Sequence, residues 1–318
     1  MASASNRQGP GSARRRALVT GASGYLGSQL ARRLVHDGWA VHALVRPGSN
    51  LAPLAGVCDA LTVHAFGGAT TELVDIVRAA APDAVFHLAA AFLAEHRPED
   101  VETLVQANLL LSTQLLEAMA ANEVRLLVNT GTAWQHYENR GYDPVNLYAA
   151  TKQAFEAILA YYVNARGFSA ATLALFDTYG PHDPRPKLVK ALWNAAMNGT
   201  RLSMSAGDQL LDMVYIDDVT EAFLAAERAL RTAGAVQLRY GVSSGAPLRL
   251  RELVAAFEQA TGLRVEAGWG ERPGRPRDVV TAWTDFVPPP GWSPRVDVAQ
   301  GLRRSAAAEG VVLPGQDV

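Results

Sequence analysis

The sequence predicts an α/β protein, a doubly wound parallel sheet with a smaller, loop-rich lobe toward the C-terminus. Three observations predict it. Short apolar runs alternate with helical periodicities up to Phe176, the βαβα order of a parallel sheet covered on both faces. Three glycines, Gly21, Gly24 and Gly27, stand between the first apolar run and the first helical pattern. After Phe176 prolines and charges crowd together and the periodicity weakens.

In chain order, residues 17–20 read as the first strand. Residues 25–37 read as a helix with Leu26, Leu30, Leu34 and Val35 on one side, stopped by Gly38. Residues 40–45 and 61–66 are the second and third strands, 71–80 a helix, and 84–88 a fourth strand introduced by Pro82-Asp83. Residues 98–122 predict one long helix, 125–129 an apolar strand, 147–165 a helix ended by Gly167, and 170–175 a sixth strand. Segment 177–187, with Pro181, Pro184 and Pro186, reads as a connection or binding loop. A helix over 188–198, a hairpin-like piece, an apolar segment at 214–216 and a helix from Asp218 follow. The expected division is a flexible tail (1–16), a dinucleotide-binding unit (17–176 plus about 214–240), and a substrate lobe (177–213 and 241–318).

Composition narrows the function. With 49% hydrophobic and 19% charged residues the chain is ordinary globular material, and a net charge of −2 offers nucleic acid no electrostatic footprint. Cys58 is the single cysteine, which excludes an internal disulfide and fits a reducing cytoplasm. Arg14-Arg15-Arg16 imitate the charged start of a signal peptide, but only Ala17-Leu18-Val19 follow before the glycine turn, so no apolar core exists for secretion. The longest nearly apolar run, 84–94, is too short for a bilayer and contains His87, so no membrane partner is expected. The seven histidines show no ligand spacing, and no metal is expected.

The glycine trio carries the first chemical signal. Gly21 permits a tight turn, Gly24 lets the backbone approach a pyrophosphate, and Gly27 permits close helix–strand packing, while the helix N-terminus presents free N–H groups to phosphate. Gly21, Ser23, Gly24, Tyr25, Leu26 and Gly27 are the candidate cofactor contacts of this Rossmann-type turn. A fold that prefers NAD places an acid at the end of the second strand, on the ribose 2′-hydroxyl. Here Val45 stands in that place and Arg46 follows, a cation able to pair with a 2′-phosphate. NADPH is therefore expected over NADH or NAD, with a solvent-facing arginine as the plain alternative.

The second signal is Tyr148-Ala149-Ala150-Thr151-Lys152. A tyrosine and a lysine four apart on a helix share one face, and the ammonium is expected to lower the phenol's pKa toward the range of proton transfer.

With these residues the chain resembles the extended short-chain dehydrogenase/reductase family, in particular its nucleotide-sugar epimerases, dehydratases and ketoreductases, over roughly residues 17–302. TGASGYLG (20–27) is similar to the family's cofactor turn, and DAVFHLAA (83–90) to its fourth-strand motif, which implies that Leu88, Ala89 and Ala90 lie against the cofactor. Asn108 matches a structural asparagine that holds its helix bend or a water behind the lysine, and the resemblance places it among the cofactor-binding residues. NTGT (129–132) matches the strand end bearing the catalytic Ser/Thr, placed on Thr132, with Thr130 as the competitor. TYGP (178–181), VYIDDV (214–219) and WSP (292–294) match further family segments.

The resemblance implies Thr132, Tyr148 and Lys152 as catalytic residues, the last two also touching the cofactor. It implies substrate contacts from Thr132, Tyr148, Thr178, Lys187 and Arg277, with Asp183, Arg185, Arg272 and Arg275 nearby and a solvated cluster as the alternative for each charge. One departure narrows the reaction. Family dehydratases carry Asp-Glu directly after the threonine, whereas Ala133-Trp134 stand here and cannot abstract protons or expel water. The local text most resembles deoxysugar 4-ketoreductases of the CDP-abequose/paratose synthase type. The expectation is thus NADPH-dependent reduction of a nucleotide-linked 4-keto-6-deoxyhexose by a cytoplasmic homodimer, joined through the helices over 98–122 and 147–165. An NAD-retaining epimerase, a reductase of non-sugar ketones and a non-catalytic NADP-binding protein are the alternatives.

Overall fold

A computed structural model describes residues 14–313. Its centre is a seven-stranded, wholly parallel sheet: β1 (Arg16–Thr20), β2 (Ala40–Val45), β3 (Leu61–Ala65), β4 (Ala84–His87), β5 (Leu126–Thr132), β6 (Ser169–Leu175) and, further along the chain, a strand at Val236–Val242. The spatial order runs from that last strand through β6, β5, β4, β1, β2 to β3, so the winding reverses between β1 and β4. Ligands of such sheets bind outside the carboxyl ends of the strands at this reversal. All seven strands pair in parallel, and the central ones are covered on both faces, which explains their apolar runs, whereas β3 at the edge leaves Thr62, Val63 and Ala65 exposed.

Alternate residues of the central strands feed two cores. Ala17, Val19, Phe86 and Val128 face α1 (Tyr25–His36) on one side; Leu18, Val85 and Leu127 face α2 (Thr70–Ala80) on the other. The helical connection after β4 begins with α3 (Val101–Val105), passes through a π-helical turn at Gln106–Leu110, and resumes as α4 (Leu111–Ala121). The sequence predicts one helix over 98–122; Asn108, completely buried in the π turn, is where the regular ladder is broken. α5 (Leu147–Arg166) ends on Gly167 in the left-handed conformation, as a glycine C-cap requires.

Beyond β6 the chain forms β7 (Asp177–Tyr179), α6 (Leu188–Asn198), the short strands β8 (Leu202–Ser203), β9 (Leu210–Leu211) and β10 (Met213–Tyr215), then α7 (Ile216–Thr232) against the sheet. The seventh sheet strand is β11 (Val236–Val242), followed by β12 (Leu248–Arg249), α8 (Leu250–Thr261), β13 (Ala267–Gly268) and α9 (Val298–Ala308). The sequence predicts mostly loops here. Instead Leu250, Leu253, Val254 and Phe257 of α8 pack with Leu302 and Ala306 of α9 in a third core. Each fully buried leucine or phenylalanine there contributes about 1.5–3 kcal/mol.

The division at residue 16 also needs correction. Arg16 opens β1, Arg15 pairs with the buried Glu227 and lies over Trp39, and Arg14 donates to the carbonyl of Gly38. Residues 1–13, the rest of the expected tail, and 314–318 lie outside the described residues. Among the described residues no helix is long and apolar enough to cross a membrane, and no three or more His, Cys, Asp or Glu side chains gather as a metal ion would need.

Candidate active site

Two backbone features shape the cofactor end. Gly21 has φ +67°, and a Cβ there would lie 2.8 Å from the amide nitrogen of Ala89. Gly27 sits in the first turn of α1, where a Cβ would come within 2.1 Å of the Gly21 carbonyl oxygen. Both contacts are with backbone, so the turn is cradled by the strand end beside it and admits no side chain at either place. Gly24 caps α1 without a side-chain hydrogen bond, and the first turn carries no acid. The Gly24 N–H donates to the Gly21 carbonyl (2.9 Å) and closes the turn; the N–H groups that follow it at the start of α1 remain for an anion, and the residues present fit the pyrophosphate of a dinucleotide. Tyr25 offers its backbone there, but its ring turns away into the lobe core and lies under Arg185.

The end of β4 is locked to the same turn. Thr20 Oγ1 accepts from the amides of Leu88 and Ala89 at 3.1 Å each, and so must give its own proton to His87 Nδ1 at 2.8 Å. His87 Nε2 then donates to Ser112 Oγ (2.8 Å), which donates to the carbonyl of Asn108. Burial holds His87 neutral, with its pKa pushed down to about 3 and the charge of Lys152 acting the same way. Leu88 and Ala89 are half-buried and Ala90 is exposed, placing them beside the glycine turn. Arg46 follows β2 on an exposed loop and forms no ion pair among the described residues.

Asn108, expected among the cofactor-binding residues, is completely buried and does not reach outward. Its Oδ1 accepts from the Ala91 amide (2.9 Å), and its Nδ2 donates to the Ala91 carbonyl and to Thr151 Oγ1. Both donors are spent tying the π turn to the loop after β4 and to α5. Asn146, which sequence reasoning missed, pins the same loop from its other end. Its Oδ1 caps α5 through the Ala149 amide, while its Nδ2 donates to the carbonyls of Leu93 and Ala94. An Asn directly before a helical run was the available signal.

Between these two tethers sits Phe92, 46% exposed, its ring edge-on to Tyr148 at 5.0 Å between centroids and 5.6 Å from Trp134. Lys187 lies over Phe92 at 5.4 Å and Arg275 over Trp134 at 5.9 Å. An aromatic wall flanked by two cations thus stands beside Tyr148.

Tyr148 and Lys152 both lie buried on the first turns of α5, and Thr132 is the last residue of β5, one strand position beyond Gly131. Thr132 Oγ1 accepts from the Trp134 amide (3.3 Å), which leaves its hydroxyl proton to donate. Thr130, the competitor, spends its hydroxyl on the His87 carbonyl. Burial pushes the Tyr148 phenol up to about 12, and the opposing charge comes from Arg185. That corrects the expectation of a phenol made acidic by its lysine. Burial in turn pushes Lys152 down to about 8, against the carboxylate of Glu156 one turn on.

The substrate candidates separate. Thr178 is buried in β7, and its carbonyl accepts from Arg185, whose guanidinium is otherwise held by Asp183. Lys187 caps α6 with its ammonium near Asp177 and Phe92; burial lowers its pKa and Asp177 opposes that. Arg277 is not free: its guanidinium pairs with Asp143 and lies over Tyr137 at 4.2 Å. Arg275 approaches Glu95 at 3.8 Å, and Arg272 is exposed.

Residues 17–237 match the model of the NAD dependent epimerase/dehydratase family. The UDP-glucose 4-epimerase of Mycolicibacterium smegmatis is 30% identical over 91% of this chain and 97% of its own. The CDP-abequose synthase of Salmonella muenchen is 24% identical over 90% and 95%. Among solved structures, the Thermus thermophilus UDP-glucose 4-epimerase in complex with NAD is 25% identical and superposes with a TM-score of 0.80 over 93% of this chain and 100% of its own.

Proposed function

The chain belongs to the NAD dependent epimerase/dehydratase family, and from that membership we propose that it is an NADPH-dependent reductase of the C4 ketone of a nucleotide-linked 4-keto-6-deoxyhexose. One observation carries the choice of reaction. The two positions after Thr132 hold Ala133 and Trp134, the latter on an aromatic wall with Phe92, where elimination of water would need acids, while burial keeps Tyr148 in its protonated, donating form. The likeness to a CDP-abequose synthase supports the same reading, and Arg46, directly after β2, supports a 2′-phosphate on the cofactor.

Reduction of a ketone needs a hydride at carbon and a proton at oxygen. The bound dinucleotide supplies or takes up the hydride. Tyr148 Oη donates the proton to the carbonyl oxygen as charge grows there, a step that contributes about 10²–10⁴-fold. The Thr132 hydroxyl, its oxygen already accepting from Trp134, donates to the same oxygen and fixes its direction. Arg185 supplies the positive charge that favours the phenolate left after transfer, and Lys152, one turn from Tyr148 on α5, is placed to touch the cofactor. Gly21, Ser23, Gly24, Leu26 and Gly27 provide the backbone that holds the pyrophosphate. Lys187 is the cation placed to meet the substrate's charged half beside Phe92.

The protein should be incubated with a panel of TDP-, CDP-, GDP- and UDP-4-keto-6-deoxysugars while NADPH absorbance is followed. Oxidation with one nucleotide series is the expected result; none with any removes the reading. A second reading is favoured by the Mycolicibacterium relative, a UDP-glucose 4-epimerase. Its mark would be purification with stoichiometric NAD and interconversion of UDP-hexoses without net NADPH oxidation. Val101, Val105, Leu110 and Tyr161, exposed along α3, the π turn and α5, support a homodimer through these helices. Light scattering should then return twice the monomer mass.

A further inference from the structure

Behind the catalytic residues lies a buried bridge that the reaction does not itself use. Gln135 is completely buried in the turn after β5. Its Oε1 accepts the backbone N–H of Thr132 at 3.0 Å, and its Nε2 donates to Gln153 Oε1 at 2.7 Å and to Glu156 Oε1 at 2.8 Å. Glu156 is buried one turn beyond Lys152 on α5. Two groups from β11 close the far side: Gln237 donates to the Glu156 carbonyl (3.2 Å), and the Arg239 guanidinium stands 3.6 Å from its carboxylate. One amide side chain thus joins the strand end that bears Thr132 to the helix face that bears Lys152.

We propose that Gln135 and Glu156, backed by Arg239, are positioning residues that hold Thr132 and Lys152 in register and keep a fixed carboxylate opposite the lysine's charge. The proposal rests on the reading of Thr132 and Lys152 as catalytic. Nothing simpler accounts for the arrangement. A buried carboxylate is costly unless hydrogen-bonded and paired, and Glu156 is both. Three of the four sites Gln135 can offer are used, one on Thr132 itself and two on residues next to, or one turn from, Lys152.

The groups facing Lys152 define what its titration reports. They are Tyr148 and Glu156 on its own helix and His87 from β4, with Arg239 from β11 acting through Glu156. Tyr148 is protonated and His87 neutral near pH 8, and the Glu156 carboxylate is the charge that opposes the effect of burial on Lys152. Removing that charge leaves desolvation unopposed, and Lys152 should lose its proton at lower pH.

Two variants separate the parts. Glu156→Gln keeps the shape and an acceptor for Gln135 but removes the charge; Gln135→Met keeps the volume and removes the bridge. Competitive acetylation of Lys152 in the dinucleotide-free protein, read by mass spectrometry against pH, needs no substrate. Its midpoint should fall in Glu156→Gln and be restored in Glu156→Asp. An unchanged midpoint overturns the charge half of the proposal. Gln135→Met, with unfolding and dinucleotide binding close to wild type, should lose about tenfold to a hundredfold in kcat with little change in KM. Undiminished kcat overturns the positioning half. Should Gln135→Met not fold, Glu156→Gln reads kcat and its alkaline limb as well, and that limb must move down in pH with the acetylation midpoint. Failure of the substrate panel removes the reductase reading and leaves the acetylation result standing.

Discussion

The proposed cofactor end and the proposed substrate end of this molecule are built on opposite plans. At the cofactor end the contacts are made by backbone, and the permitted side chains are those with none: Gly21 and Gly27 face carbonyls and amides within 3 Å of where a Cβ would be. At the proposed substrate end the groups on offer are side chains drawn from four separate segments: Phe92 after β4, Trp134 after β5, Lys187 before α6 and Arg275 far along the chain. A backbone site is intolerant and local. A side-chain site is assembled from afar, so it can be changed one residue at a time. Tyr148 stands where the two meet, on a helix whose cap is tied to the loop that carries Phe92.

The largest effect is expected at that meeting point. Tyr148→Phe removes the proton and leaves the ring against Phe92, so turnover should fall about 10²–10⁴-fold while dinucleotide binding, measured by fluorescence titration, stays near wild type. Equal losses in both would mean that the tyrosine belongs to the cofactor end and would break the division. Next comes Gly27→Ala. The added methyl meets the Gly21 carbonyl, and backbone cannot move aside as a side-chain tip can. A loss of about 1–3 kcal/mol in stability is expected, seen in thermal unfolding, together with weaker dinucleotide binding. A variant with normal stability would show that the turn has slack the geometry does not indicate.

The difference in plan also explains what the sequence disclosed. The glycine turn is local, so its residues, its strand and its helix could be read within eight positions. Tyr148 and Lys152 share a helical face, and periodicity alone joins them. The polar frame around them was legible only as isolated letters. Asn108, Asn146 and Gln135 act through partners up to 53 positions away, and no spacing rule connects them. The aromatic wall was hidden for the same reason: Trp134 could be read as a missing acid, not as a neighbour of Phe92. The helices α8 and α9 escaped because the long proline-rich stretch between them masks that they pack on one another.

Arg46 offers a smaller and more selective effect, since it adds a side chain to the backbone end. If it meets a 2′-phosphate, Arg46→Ala removes a charge-assisted contact of about 1.5–3 kcal/mol. NADPH affinity should fall roughly tenfold to a hundredfold with NADH affinity unchanged. A parallel fall in both would return Arg46 to the solvent-facing role. The comparison would then be sharper still, with nothing but backbone at the cofactor end.

The smallest effects should distinguish two cations that the sequence placed on equal terms. Lys187 has its ammonium over Phe92 and near the half-buried Asp177, while the next nearest charges, Asp183 and Arg185, are paired with each other, so the charge of Lys187 remains available to an anionic substrate. Arg277 is already paired with Asp143, which Arg140 also holds at 3.1 Å. Lys187→Ala should therefore raise KM for the nucleotide sugar several-fold to tenfold, in keeping with loss of one charged contact of about 1 kcal/mol. Arg277→Ala should change KM less and act instead on the loop between β5 and α5. There the Asp143 amide donates to the Gln135 carbonyl, and the Asp143 carbonyl accepts from the Tyr137 amide. Thermal unfolding would register that loss, and a larger KM effect at Arg277 than at Lys187 would show that substrate displaces Asp143 from the guanidinium.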